Sequence, residues 1–175
     1  TRYLDFSDSD PLVLDSYVER ARLLHAQWGG EREQLRDCLQ DELARVSPPP
    51  EVCANIAAIG DPKTFMIAAG HQPALGGGPL FLAFKLLGVI RLAEQLTAAS
   101  EYKFIPLYWN GSEDHNAHEF SRLSVFDTNH DLHHLNISAL PEGQMARAIP
   151  TTKLDTLFAE LAAALPDTEF KADLL

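Results

Sequence analysis

One stretch constrains the fold of this chain more than any other: Phe65 to Leu96, FMIAAGHQPALGGGPLFLAFKLLGVIRLAEQL. Phe65 to Ala69 is a continuous apolar run of strand length, which suits a strand covered on both faces. A polar, glycine-rich turn follows, and then a long apolar helix. Nucleotide-binding α/β sheets begin with this strand–loop–helix unit, so the fold class it predicts is α/β with a parallel sheet. Gly70, Gly76, Gly77 and Gly78 permit close approach of a ligand to the main chain. Pro79 suits the first helical turn, where a missing N–H costs nothing. The free N–H groups of that turn, with the helix dipole behind them, attract a phosphate or carboxylate. His71 and Gln72 stand at the strand exit, where ligand contacts fall in open parallel sheets. The turn matches neither the P-loop nor the GxGxxG pattern, and a tight turn with a structural histidine is the alternative reading.

Helix geometry places Lys85. At about 100° per residue, Arg91, Glu94 and Gln95 form a solvent stripe, and Lys85 falls roughly 130° from its middle. A lysine on the apolar side needs a partner or a ligand, so contact with a phosphate or acidic substrate group is one expectation. Snorkelling past the sheet edge is the other.

The second chemical stretch is Ser112 to Glu119, SEDHNAHE. Glu113, Asp114 and His115 follow a strand-like run and can supply proton transfer or amine recognition. His115, His118 and Glu119 offer an alternative, a metal-dependent hydrolase, although the spacing is not HExxH. Asn116 to Glu119 also fits a capping box.

The 175 residues suffice for one domain with a core, or one domain with appendages. A formal net charge of −11 argues against a nucleic-acid partner. Cys38 and Cys53 have no CxxC spacing and read as free thiols of a reducing, cytoplasmic setting. The apolar run within residues 80–93 is broken by Lys85 and Arg91, which reads as a core helix and not a membrane span. The chain opens on Thr1 and closes on KADLL, from which we expect a piece of a longer protein.

In chain order, residues 1–10 read as an extended arm. A helix begins at Asp10-Pro11 and ends at Gly29-Gly30, and a second spans about Glu31 to Val46 with Leu35, Cys38, Leu39 and Leu43 on one stripe. After Pro48-Pro49-Pro50 comes a short helix near Glu51–Ala58 and a turn at Gly60-Asp61-Pro62. Lys103–Asn110 is strand-like, with a bulge or late start expected at Pro106. Arg122–Phe126 and Leu132–Ile137 predict a hairpin around Asp127–His130, whose histidines (with His133 and His134) read as surface residues. Thr151 or Thr152 caps a helix that Pro166 ends. The organisation expected is a helical segment 1–62, the first half of the core 63–121, an inserted hairpin 122–150 and a helix 151–175.

GHQPALGGGPLFLAFK followed by FIPLYWNGSEDHNAHEFSRL resembles the bacillithiol synthase family of cysteine ligases, in its N-terminal portion. Its members carry a G-[HQ]-Q-P-x-L-x-x-G-P element followed within a few residues by a lysine, and a later P-x-[FYW]-W-x-x-x-E-D-H-D-x-x-E element. Asn116 stands where the family has its second Asp. The later ARAIPTTKLDTLF also fits, so the resemblance covers nearly the whole chain. It implies a Rossmann-like core similar to class I aminoacyl-tRNA synthetases and nucleotidyltransferases, with His71-Gln72 where the synthetases carry their His-Ile-Gly-His signature. The implied reaction joins cysteine to glucosaminyl malate, an amino sugar malate conjugate, to give bacillithiol. ATP or ADP is the implied cofactor, with no metal, nucleic acid or membrane, and a coiled coil and homodimer contacts lie downstream.

The combined expectation assigns catalysis to His71, Glu113, Asp114 and His115. It assigns the holding of an anionic group to Gly70, Gln72, Gly76, Gly77, Gly78 and Lys85. No residue is an obvious covalent nucleophile, and Cys38 and Cys53 are read as structural. A non-catalytic nucleotide- or small-molecule-binding domain of the same fold is the other alternative.

Overall fold

Residues 12–27, 30–75, 78–111, 121–137 and 151–174 are described by the structure, a computed structural model. Along the chain they form α1 (Leu14–Gln27), α2 (Arg32–Leu43), α3 (Pro50–Ala58), β1 (Thr64–His71), α4 (Leu80–Ala99), β2 (Lys103–Asn110), β3 (Arg122–Phe126), β4 (Leu132–Asn136), α5 (Thr151–Ala164) and α6 (Lys171–Leu174). The chain divides into two compact units, Thr1–Ala69 with Leu86–Leu107, and Gly70–Lys85 with Tyr108–Leu175. The expected N-terminal arm lies outside the described residues, as do the side chains of Thr151 and Thr152.

β1 and β2 pair with each other. Lys103 donates its N–H to the Lys63 carbonyl, and Gly111 donates to the His71 carbonyl, each at 3.0 Å. Both ends therefore carry the same offset of forty residues, which is a parallel ladder with no residue inserted. The bulge expected at Pro106 is absent. Odd-numbered residues of β2 turn their N–H toward β1, so the nitrogen of Pro106 faces away and its missing proton breaks no ladder bond. The outward edge is also met at Phe104, whose N–H donates to Thr97 Oγ1 at 2.8 Å while the Thr97 hydroxyl donates to the Phe104 carbonyl at 3.2 Å.

In the first unit the strands are covered on both faces, as the apolar run predicts. Phe65 and Phe104 pack with Ala21 of α1 and with Ala93 and Leu96 of α4. The alternate residues Met66 and Ile105 join Ile56 and Ile59, with Leu39 and Leu43 of α2 against them. This alternation is the period-2 signature of a pleated strand. Arg32, at the start of α2, donates to the Thr64 carbonyl at 2.7 Å and lies over the Phe65 ring. Desolvation holds its pKa below the usual guanidinium range, against the pull of Asp61. The predicted stripe of α2 is only half realised: Leu39 and Leu43 pack, whereas Cys38 is an exposed free thiol and Leu35 is exposed.

α4 departs from the expected core helix. Leu82, Ala93 and Leu96 are buried, but Leu80, Phe84 and Leu87 are 73%, 67% and 62% exposed. The helix packs by one stripe only, and its first half leaves apolar residues exposed on the face that carries Arg91 and Glu94 farther along. Lys85 borders the packed stripe by helix angle, as the wheel predicts, but its side chain is exposed. None of the helices among the described residues is long and apolar enough to cross a membrane.

In the second unit β3 and β4 form the predicted antiparallel hairpin, with Leu123 opposite Leu135 and Val125 opposite His133. Their inward residues meet Leu157 and Leu161 of α5, together with Ile137 and Leu75. Asp127 organises the turn. Its Oδ1 accepts the N–H groups of Asn129 and Asp131 at 2.8 and 2.9 Å, and its Oδ2 is 2.8 Å from His133 Nε2. The hydrogen bond from His133, followed by that from the Asp131 N–H, holds the carboxyl below its ordinary range.

Candidate functional site

The described part of the site lies within the second unit, where the last residues of β1 and β2 meet the first turns of α4. β1 is longer than its apolar run predicts, because Gly70 and His71 are still strand. The Gly111 N–H closes the ladder on the His71 carbonyl, which also lies 3.5 Å from the Tyr108 hydroxyl. From there residues 72–75 leave the strand, and Gly78 and Pro79 lead into α4. Leu75, buried in the apolar cluster of the hairpin and α5, anchors this loop. Gly78 donates to the Leu75 carbonyl at 3.0 Å with φ of +75°, and Leu82 donates to the Pro79 carbonyl at 2.8 Å. A Cβ on Gly78 would stand 2.7 Å from Ala74 Cβ, so this glycine is required by its backbone and its space. Gly70 is different. An added Cβ there would meet Trp109 atoms at 3.5–3.7 Å, which is ordinary contact.

His71 is oriented on two sides. Its Nδ1 lies 2.7 Å from the Gln72 carbonyl oxygen. A carbonyl only accepts, so Nδ1 carries the proton, and in the neutral ring Nε2 holds the lone pair. The ring packs against Phe81, centroid to centroid 5.2 Å. Lys85 Nζ donates to the Gly70 carbonyl at 3.0 Å and stands 5.7 Å from the Phe81 ring centre. Trp109, the neighbour of Gly70 across the ladder, is 62% exposed.

Of the residues expected from the sequence, the structure brings together Gly70, His71, Gln72, Gly78 and Lys85. Gly76, Gly77, Glu113, Asp114 and His115 lie outside the described residues, as do His118 and Glu119 of the metal alternative. Among the described residues no cluster of three His, Cys, Asp or Glu side chains could hold a metal ion. Sequence reasoning left Phe81 without a role, although Phe81 and Lys85 stand four residues apart in a predicted helix, a spacing that pairs side chains on one face. Trp109 and Tyr108 were legible as strand residues and as the [FYW]-W of the family element, but without a role in the site.

Chemically, the described groups offer a nitrogen base at a strand end and a lysine ammonium with two protons to spare. They also offer a helix start whose first N–H groups have no acceptor within the helix. An anionic substrate or phosphate fits that combination.

Comparison with known proteins bears on the same residues. The model of one family, described as Bacillithiol biosynthesis BshC, N-terminal Rossmann-like domain, matches residues 5–175. The BshC protein of Shouchella clausii is 33% identical over 154 residues, which is 87% of this chain and 28% of that protein. That of Symbiobacterium thermophilum is 27% identical over 165 residues, 92% of this chain and 30% of that protein. That of Natranaerobius thermophilus is 29% identical over 126 residues, 70% of this chain and 23% of that protein. This chain thus spans less than a third of the length of these relatives. With nearly every residue matched and a parallel β1–β2 pair followed through a helix, the chain belongs to the family of BshC N-terminal Rossmann-like domains of bacillithiol biosynthesis.

Proposed function

We propose that this chain forms part of the active site of a ligase that joins cysteine to glucosaminyl malate, forming a carbon–nitrogen bond. The observation that carries the reading is the family match over residues 5–175, together with relatives whose names carry the words cysteine ligase. The site geometry supports it. Carboxyl and amine substrates meet at the strand ends, and His71 Nε2 is available as a base or, once protonated, as a donor to a developing oxyanion. Glu113 or Asp114 orients the amine, and His115 shares the proton handling. A nucleotide such as ATP, when bound, supplies the activation that makes condensation of a carboxylate favourable. The residues that would hold its anionic part are the first-turn N–H groups after Gly78 and the ammonium of Lys85; Gly70, Gln72, Gly76 and Gly77 allow the main chain to come close.

The test is incubation of the intact natural protein with glucosaminyl malate, cysteine and ATP, followed by mass analysis. A product equal to both substrates less one water is expected. Converting Glu113 and Asp114 to their amides should reduce its formation by on order of 10²-fold or more, the scale of positioned acid–base groups. Absence of product with all three present would leave a binding domain without turnover.

A further inference from the structure

The end of β1 is held by a charge that the ladder cannot supply. Even-numbered residues of β1 turn away from β2, so β2 cannot reach the Gly70 carbonyl. Lys85 reaches it instead. In a helix, residues four apart share a face and side chains lean toward the N-terminus. Lys85 therefore runs back over Phe81, with its ammonium 5.7 Å from the ring centre, and donates to Gly70 at 3.0 Å. Phe81 in turn is the wall on which the His71 ring rests. One ammonium thus touches both the backbone one residue before His71 and the ring beside it.

We infer that Lys85 is a positioning residue for His71, an inference that rests on the reading of His71 as a proton-handling group. By fixing the Gly70 carbonyl and the Phe81 ring, it keeps the imidazole with Nδ1–H on the Gln72 carbonyl and Nε2 offered outward. Its two remaining ammonium protons can still meet an anion, and the two roles separate on measurement. A group that only binds phosphate changes the affinity for nucleotide. A group that only snorkels changes neither affinity nor the histidine.

The experiment uses the intact natural protein labelled with nitrogen-15 in its histidine rings, with His71→Asn to assign the His71 signals. The wild type should show His71 as the Nδ1–H tautomer. Lys85→Met should replace that pattern with a mixture of tautomers while the other histidine signals stay in place, which controls for folding. Lys85→Arg, which keeps a donor, should restore most of the pattern; Phe81→Leu should reproduce the loss. In turnover, Lys85→Met should lower kcat by on order of 10-fold or more, separately from any rise in KM for ATP that the lost ammonium causes. An unchanged His71 spectrum in Lys85→Met overturns the inference, as does a raised KM for ATP with kcat intact. The spectrum does not depend on turnover. If the wild type makes no product, the ligase reading falls and the ring signals still decide the role of Lys85.

Discussion

Gly70 in β1 and Gly78 just before α4 both flank the candidate site, yet substitution by alanine should separate them sharply. Gly78 has φ of +75°, and an added methyl would lie 2.7 Å from Ala74 Cβ and 3.2 Å from Leu82 Cδ2. An L-residue in the left-handed region costs about 1–2 kcal/mol. The methyl adds about 1–3 kcal/mol of overpacking, because Ala74 Cβ is fixed to its backbone and cannot swing aside. Gly78→Ala should therefore destabilise the loop by roughly 2–5 kcal/mol. At Gly70 the new Cβ finds ordinary contact at 3.5–3.7 Å. Removing a glycine from a strand interior there should be neutral or stabilise by up to roughly 1 kcal/mol. The assay is urea unfolding of the intact protein, with amide hydrogen exchange resolved to peptides across residues 72–85. Equal exchange protection in the two variants would refute the reasoning, because it would mean that the loop relaxes around the Gly78 methyl.

Leu96, fully buried between α4 and the β1–β2 pair, should lose about 2–5 kcal/mol of stability on truncation to alanine, measured by denaturant midpoint. Pro106→Ala should shift stability by no more than about 1 kcal/mol, because the proline nitrogen faces away from β1 and the change acts through the unfolded chain; a larger loss would contradict the register. The Asp127 carboxyl, lowered from 3.8 chiefly by His133 and the Asp131 N–H, should give the hairpin a contribution that is complete above about pH 4. That contribution disappears as pH falls through the lower folded value. Hairpin amide exchange against pH should show it, and Asp127→Asn should flatten the acid limb; an unchanged limb would remove Asp127 from the account.

Where neighbouring residues carry the cause, the fold was legible. Phe65, Met66 and Ile67 alternate between two apolar clusters on opposite faces, as a buried parallel strand must, while Ala68 is exposed. The hairpin follows from alternating residues on either side of Asp127. Where the cause is pairing at a distance, the sequence was silent. Pro106 reads as a strand breaker until the register shows which way its nitrogen points. Gly70-His71 reads as a turn because glycine and histidine are poor strand signals, yet Gly111 extends the ladder to them. The wheel put Lys85 away from the Arg91–Glu94–Gln95 stripe, and by angle it does adjoin the packed residues Leu96 and Leu82. Angle alone could not show that its side chain runs out over Phe81 and stays exposed. Hydropathy cannot tell a helix packed by one stripe from one packed all round. In the site, His71 was legible from its place after a strand, but its tautomer was not, since that depends on the turn of a single carbonyl at Gln72.

The hydroxyl of Thr97 and the ring of Pro106 have a consequence for how the sheet can grow. Between them they close the outer flank of β2 over its first half, one by using up the Phe104 amide and carbonyl, the other by having no proton to give. A newcomer strand, whether native neighbour or stray chain, would find no continuous row of docking points there. It could gain purchase only from Tyr108 onward.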